Sequence, residues 1–126
     1  MISPSVDYCP VNVEGKIYNM AYRDWGDSDL PVLICSHGIT HNSRIFDYLA
    51  KSLAKDYRVI CPDSLGRGRS DYLDDKLLYH FETYVANSIQ LMKYLGIEQC
   101  DWLGTSQGGI TGMIMASLKQ SPIRKL

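Results

Sequence analysis

The stretch Asp101-Trp102-Leu103-Gly104-Thr105-Ser106-Gln107-Gly108-Gly109-Ile110 carries the reading of this chain. An apolar run stops at a glycine, a serine stands midway between Gly104 and Gly108, and an apolar pattern resumes past Gly109. A serine on a sharp turn from strand to helix is forced into strained backbone geometry, and glycines two before and two after it keep Cβ atoms out of the bend. The Ser106 hydroxyl is thereby pushed out of the packing. The helix that starts at Gln107 aims its free N–H groups and positive dipole end at the same spot, which favours an anion there. Gly109 adds room for that helix to approach its neighbours.

Working outward, strand-like and helix-like segments take turns. Residues 16–25 alternate as an early strand, and Gly26-Asp27-Ser28-Asp29 is a turn. Val32-Leu33-Ile34-Cys35 is a short continuous apolar run, as expected of a strand covered on both faces. Ser43 is placed to cap a helix whose apolar residues Ile45, Phe46, Leu49, Ala50 and Leu53 recur at helical spacing. Residues 57–61 read as another strand, followed by the Gly-rich loop 62–70. A long helix then carries Phe81, Tyr84, Val85, Ser88, Leu91, Met92 and Leu95 on one face and stops near Gly96. Residues 100–103 form a short strand. The helix over 107–118 is apolar on nearly every side and is expected to be buried. This alternation predicts an α/β domain spanning 1–126, with a mostly parallel sheet flanked by helices.

Composition narrows the function. With 126 residues, 45% of them hydrophobic, and a formal net charge of −1, the chain reads as one ordinary globular domain. Nucleic acid is not an expected partner: the one close basic pair in mid-chain, Arg67 and Arg69, is flanked by Asp63 and Asp71 and reads as a solvated or salt-bridged loop. There is no signal-peptide pattern and no apolar run near the roughly 20 residues a membrane span needs, so a cytoplasmic location and no membrane partner are expected. Cys9, Cys35, Cys61 and Cys100 are widely spaced with no CxxC pair, and read as reduced core thiols.

A second element, Ser36-His37-Gly38-Ile39-Thr40-His41-Asn42, follows the 32–35 strand directly. Acyl transfer needs two backbone donors for the developing oxyanion, one beside the nucleophile and one from a loop after an earlier strand. The amides of Gln107 and Ile39 fit those two places. His37 is expected to order its glycine turn by hydrogen bonds rather than abstract protons. His37, Gly38 and His41 are the candidate substrate contacts, with His41 at the pocket rim or in solvent, and His80 is expected on the surface. Asn42, Arg44 and Ile110 are expected near the cleft mouth.

Three motifs in order carry a resemblance: His37-Gly38, Asp63-x-x-Gly66-x-Gly68-x-Ser70, and Gly104-x-Ser106-x-Gly108-Gly109. From about Lys16 onward the chain resembles the N-terminal half of an α/β-hydrolase fold protein of the serine, esterase-like kind. The resemblance implies a partial fold without the C-terminal strands and lid. It implies Ser106 as nucleophile, Ile39 and Gln107 as oxyanion amides, and Gly104, Gly108 and Gly109 as elbow glycines. A small ester, amide or lactone would be the substrate, with no metal or organic cofactor. A serine at this position also argues against the dehalogenases and epoxide hydrolases of the fold, which use aspartate there.

One departure matters. The fold's catalytic order is Ser, then Asp or Glu, then His on later loops, and here no histidine follows His80. A serine without a base is a poor nucleophile, so this stretch alone is expected to be weakly active or inactive. The 100–103 strand is expected to form an exposed edge, leading to a marginal fold, self-association, or pairing with a C-terminal half polypeptide. The readings left open are a serine hydrolase, a ligand-binding remnant, one half of a split hydrolase, and a site in which His37 or His41 serves as base.

Overall fold

The computed structural model describes residues 3–126. Its first unit is a hairpin: β1 (Ser5–Val13) pairs antiparallel with β2 (Lys16–Trp25) in unbroken register from Ser5 opposite Asp24 to Val13 opposite Lys16. The two-residue turn puts Glu14 at φ 51° and Gly15 at φ 83°, the left-handed pair that matches strand twist in tight hairpins. Pro10 lacks a donor, and β1 tolerates it because it lies at the edge of the sheet.

The remaining strands are β3 (Val32–Ser36), β4 (Arg58–Pro62), β5 (Cys100–Gly104) and β6 (Ile123–Lys125). Among the described residues the six strands run in the order β1-β2-β4-β3-β5-β6. The β4-β3-β5-β6 portion is parallel, and β2 meets β4 antiparallel. The sheet is thus mixed, with the hairpin supplying its antiparallel side. The expectation of β5 as an edge is corrected: β6 pairs with it through Cys100 opposite Ile123, and β6 becomes the edge instead.

Among the described residues, three α-helices cover the sheet: α1 (Asp47–Leu53), α2 (Phe81–Tyr94) and α3 (Gln107–Ala116). Alternation along the strands sorts the core into two clusters. Ile34, Ile60 and Trp102 face the cluster containing Leu91, Met92 and Met115 of α2 and α3, whereas Leu33, Cys35, Val59 and Cys61 face Phe46, Ala50 and Ala54 around α1. All four cysteines are free and buried among these residues. Burial pushes the Cys9 thiol up to about 11 and the Cys100 thiol up to about 12, so both remain protonated and inert.

Two local expectations change. Asn42, not Ser43, caps the segment before α1, which opens as a 3-10 turn over Ser43–Phe46; the Asn42 side chain accepts from the Arg44 amide, while Ser43 is buried. And α3 is not buried all round. Gln107, Gly108, Thr111, Gly112 and Met115 face inward, but Ile110, Met113 and Ile114 are exposed. Its apolar character exceeds what one sheet face can cover. No helix among the described residues is long and apolar enough to cross a membrane.

Candidate active site

Ser106 stands between the end of β5 and the first turn of α3, with φ 51° and ψ −114°. That conformation belongs to the first central residue of a type II′ turn, where glycine is the ordinary occupant. A serine held there is strained. Its side chain is exposed and caps nothing, and its hydroxyl has no hydrogen-bond partner among the described residues.

The flanking glycines are required by backbone contact. A Cβ on Gly104 would run into the carbonyl of Gly108, and a Cβ on Gly108 would run into the carbonyl of Ser36 at the end of β3. Gly109 is less crowded, with the Gly104 oxygen 3.2 Å from its Cβ position. These contacts are tied by hydrogen bonds from Thr105 N–H to the Ser36 carbonyl (3.1 Å) and from Gly108 N–H to the Thr105 carbonyl (2.9 Å).

The loop after β3 arrives at the same place. A Cβ position on Gly38 lies 3.5 Å from Ser106 Cβ and 3.4 Å from His41 Nδ1, so Gly38, His41 and Ser106 meet at one point. The backbone N–H groups of Ile39 and Gln107 have no partner among the described residues. Both are free to donate.

His37 is fully buried. Its Nε2 accepts from Ser64 N–H at 3.0 Å and its Nδ1 lies 2.7 Å from the Gly38 carbonyl, which places the proton on Nδ1. Burial holds its pKa below the usual 6.5, against the opposing pull of the Gly38 bond. With both nitrogens hydrogen-bonded, His37 orders the loop, as expected of it. His41 is exposed and makes no hydrogen bond to Ser106 among the described residues. His80 is exposed and caps α2, accepting from Thr83 N–H. Arg44 is spent on an exposed ion pair with Asp47 at 3.1 Å, and Ile110 is exposed on α3.

The 63–70 loop is a staple. The buried Asp63 carboxylate accepts from Ser43 N–H at 2.7 Å and Arg69 N–H at 3.1 Å. Gly68, at φ 53°, lies so close to that carboxylate that a Cβ would overlap it. Ser70 Oγ donates to the Asp63 carbonyl at 2.6 Å and accepts from Ala21 N–H at 2.8 Å. The expectation of a solvated or salt-bridged pair is corrected for Arg67 alone, since Arg69 is exposed. Half-buried Arg67 turns inward, toward Ile39, Tyr84 and Gln107. Sequence reasoning missed it, because an arginine between two glycines carries no sign of burial. Among the described residues, no three His, Cys, Asp or Glu side chains gather as a metal site.

Residues 31–126 match the family described as alpha/beta hydrolase fold. The chain is 45% identical over 125 residues to a 3-hydroxybutyrate-oligomer hydrolase of Cupriavidus necator, covering 98% of this chain and 43% of that protein. It is 34% identical over 89 residues to a fluoroacetate dehalogenase of a Burkholderia species, covering 68% of this chain and 29% of that one. The crystal structure of an alpha/beta hydrolase from Novosphingobium aromaticivorans superposes with a TM-score of 0.87 at 35% identity, over 98% of this chain and 42% of that chain. The chain thus spans less than half the length of these relatives. Fold, family match and relatives agree that this chain belongs to the α/β-hydrolase fold family.

Proposed function

We propose that this chain carries the nucleophile and oxyanion hole of a serine hydrolase that cleaves a small ester, amide or lactone by acyl transfer. The observation that carries the reading is Ser106, strained at φ 51° with a free hydroxyl, beside the two unpartnered amides of Ile39 and Gln107. Ser106 Oγ attacks the carbonyl carbon while a base removes its proton. The carbonyl oxygen becomes an oxyanion held by the two N–H groups, the leaving group departs with a proton, and water releases the acyl group from Ser106. Losing one such donor typically costs about 100- to 1,000-fold in rate. The relative named for 3-hydroxybutyrate oligomers favours an ester of a short hydroxy acid among the three substrate classes.

The base and its carboxylate partner come, in this reading, from polypeptide beyond these 126 residues, because His37 is engaged and no hydrogen bond joins His41 to Ser106. That same missing contact supports a second reading, a ligand-binding unit whose amides hold a carbonyl or carboxylate without reaction.

Fluorophosphonate labelling separates the two. The full gene product is expected to label at the serine, with Ser106→Ala abolishing it, while the 126-residue chain labels weakly or not at all. No labelling of the full product leaves the binding reading. Labelling that survives Ser106→Ala removes the nucleophile assignment.

A further inference from the structure

We infer that Arg67 is a positioning residue that fixes the separation of the two oxyanion amides; the inference rests on the serine acyl-transfer reading above. Arg67 Nε donates to the carbonyl of Ile39 at 3.0 Å, on the residue whose N–H is one donor. Its Nη2 donates to Oε1 of Gln107 at 3.4 Å, on the residue whose N–H is the other. One planar group therefore touches both residues whose amides form the hole. The two halves lie on different loops, after β3 and after β5, and no hydrogen bond joins Ile39 directly to Gln107 among the described residues.

The guanidinium is itself held on its remaining sides. Nη1 donates to the Leu65 carbonyl at 3.1 Å and to the Tyr84 hydroxyl at 3.0 Å. The rings of Tyr79 and Tyr84 lie 5.7 and 5.6 Å from its central carbon, within cation–π range. The loop that presents it is stapled by Asp63 and turned at Gly66 and Gly68, with φ 84° and 53°. Nε, Nη1 and Nη2 all reach carbonyl, amide or phenol oxygens, and no carboxylate pairs with Arg67 among the described residues. No carboxylate neutralises its positive charge within ion-pair distance among the described residues. A lysine keeps the charge and loses the fork, since an ammonium cannot bridge four acceptors spread over four segments.

The test uses the full gene product with a p-nitrophenyl ester and a fluorophosphonate, comparing Arg67→Lys, Arg67→Met, Gln107→Met and the Arg67→Met/Gln107→Met double variant. Gln107→Met keeps the backbone donor and removes only the side-chain contact. The expected result is a fall in kcat of about 10- to 100-fold for both Arg67 variants with KM within about threefold, and a matching fall in labelling rate. Gln107→Met loses about threefold, and the double variant loses less than the product of the singles because both break one linkage. Arg67→Lys within twofold of wild type, or losses confined to KM, overturns the positioning role while leaving the serine reading intact. Turnover that survives Ser106→Ala, or a wild type that neither labels nor turns over ester, overturns both. If Arg67→Met does not fold, Arg67→Lys and Gln107→Met decide the matter by the same limits.

Discussion

Replacing Ser106 with glycine should make the protein more stable while destroying its nucleophile. At φ 51° and ψ −114° the serine occupies a conformation that glycine adopts freely, and a non-glycine residue in such a region stores about 1–3 kcal/mol. Glycine gives back about 0.5–1 kcal/mol through the greater freedom of the unfolded chain. Nothing else offsets the gain, because the side chain is exposed and caps nothing. The net is a stabilisation of about 1 kcal/mol. At about 2.1 cal/mol/K per residue, a cooperative unit of 126 residues has an unfolding entropy near 0.26 kcal/mol/K, so Tm should rise by about 4 °C. Ser106→Ala is the internal control: it removes the hydroxyl and keeps the Cβ, hence the strain, and its Tm should stay within about 1 °C of wild type. Calorimetry on the three proteins under one buffer checks this. A glycine variant no more stable than the alanine variant refutes the claim that the elbow stores strain at Ser106.

Two further outcomes follow from contacts and charge. Gly108→Ala should cost about 3 kcal/mol or more in urea unfolding, since its Cβ meets the Ser36 carbonyl and only backbone movement relieves it; Gly109→Ala, whose Cβ position is 3.2 Å from the Gly104 oxygen, should cost less than half as much. Stability should also fall as pH drops below 6.5, where the unfolded His37 takes up a proton that burial denies the folded one. The slope is up to about 1.4 kcal/mol per pH unit until the depressed folded pKa is reached. The carboxyls of Asp74 and Asp101, held below their usual 3.8 by Lys16 and Arg124, contribute only at lower pH. His37→Asn should flatten the stability curve just below pH 6.5, and an unchanged slope there refutes the assignment.

What the sequence made legible was local. β2 follows from alternation over 16–25 ending at the Gly26 turn, and α2 follows from one apolar face ending at Gly96. Cys9, Val11 and Val13 alternate inward in β1 as cleanly as any strand here, but Pro10 interrupts the pattern, and a proline is compatible with a strand only once its edge position is known. Helix α3 misled for the opposite reason. Ile110, Met113 and Ile114 suggest burial on every side, yet a helix lying on one sheet buries one stripe. Arg67 was invisible because its environment is assembled from Ile39, Tyr84 and Gln107, which are 28, 17 and 40 residues away along the chain.

The placement of the two free amides can be traced to packing alone. Gly112 has no side chain, so the Trp102 ring of β5 lies directly against α3, and Trp102 Nε1 donates to the Gly108 carbonyl at 3.0 Å. That bond and the bare Gly108 draw the first turn of α3 against the Ser36 carbonyl, closer than any Cβ would allow. Ser36 ends β3, and Ile39 is three residues further on, so bringing the helix start to β3 also brings Gln107 toward the loop carrying Ile39. The buried His37 ties that loop to Ser64 N–H and the Gly38 carbonyl, and Arg67 ties it through the Ile39 carbonyl. On this argument a substitution at Gly112 reaches the site without touching it. Gly112→Ala must push Trp102 aside, release the Gly108 carbonyl and let the first turn of α3 retreat, so it should slow Ser106 labelling even where the protein remains folded; unchanged labelling in a folded Gly112→Ala protein refutes the packing account.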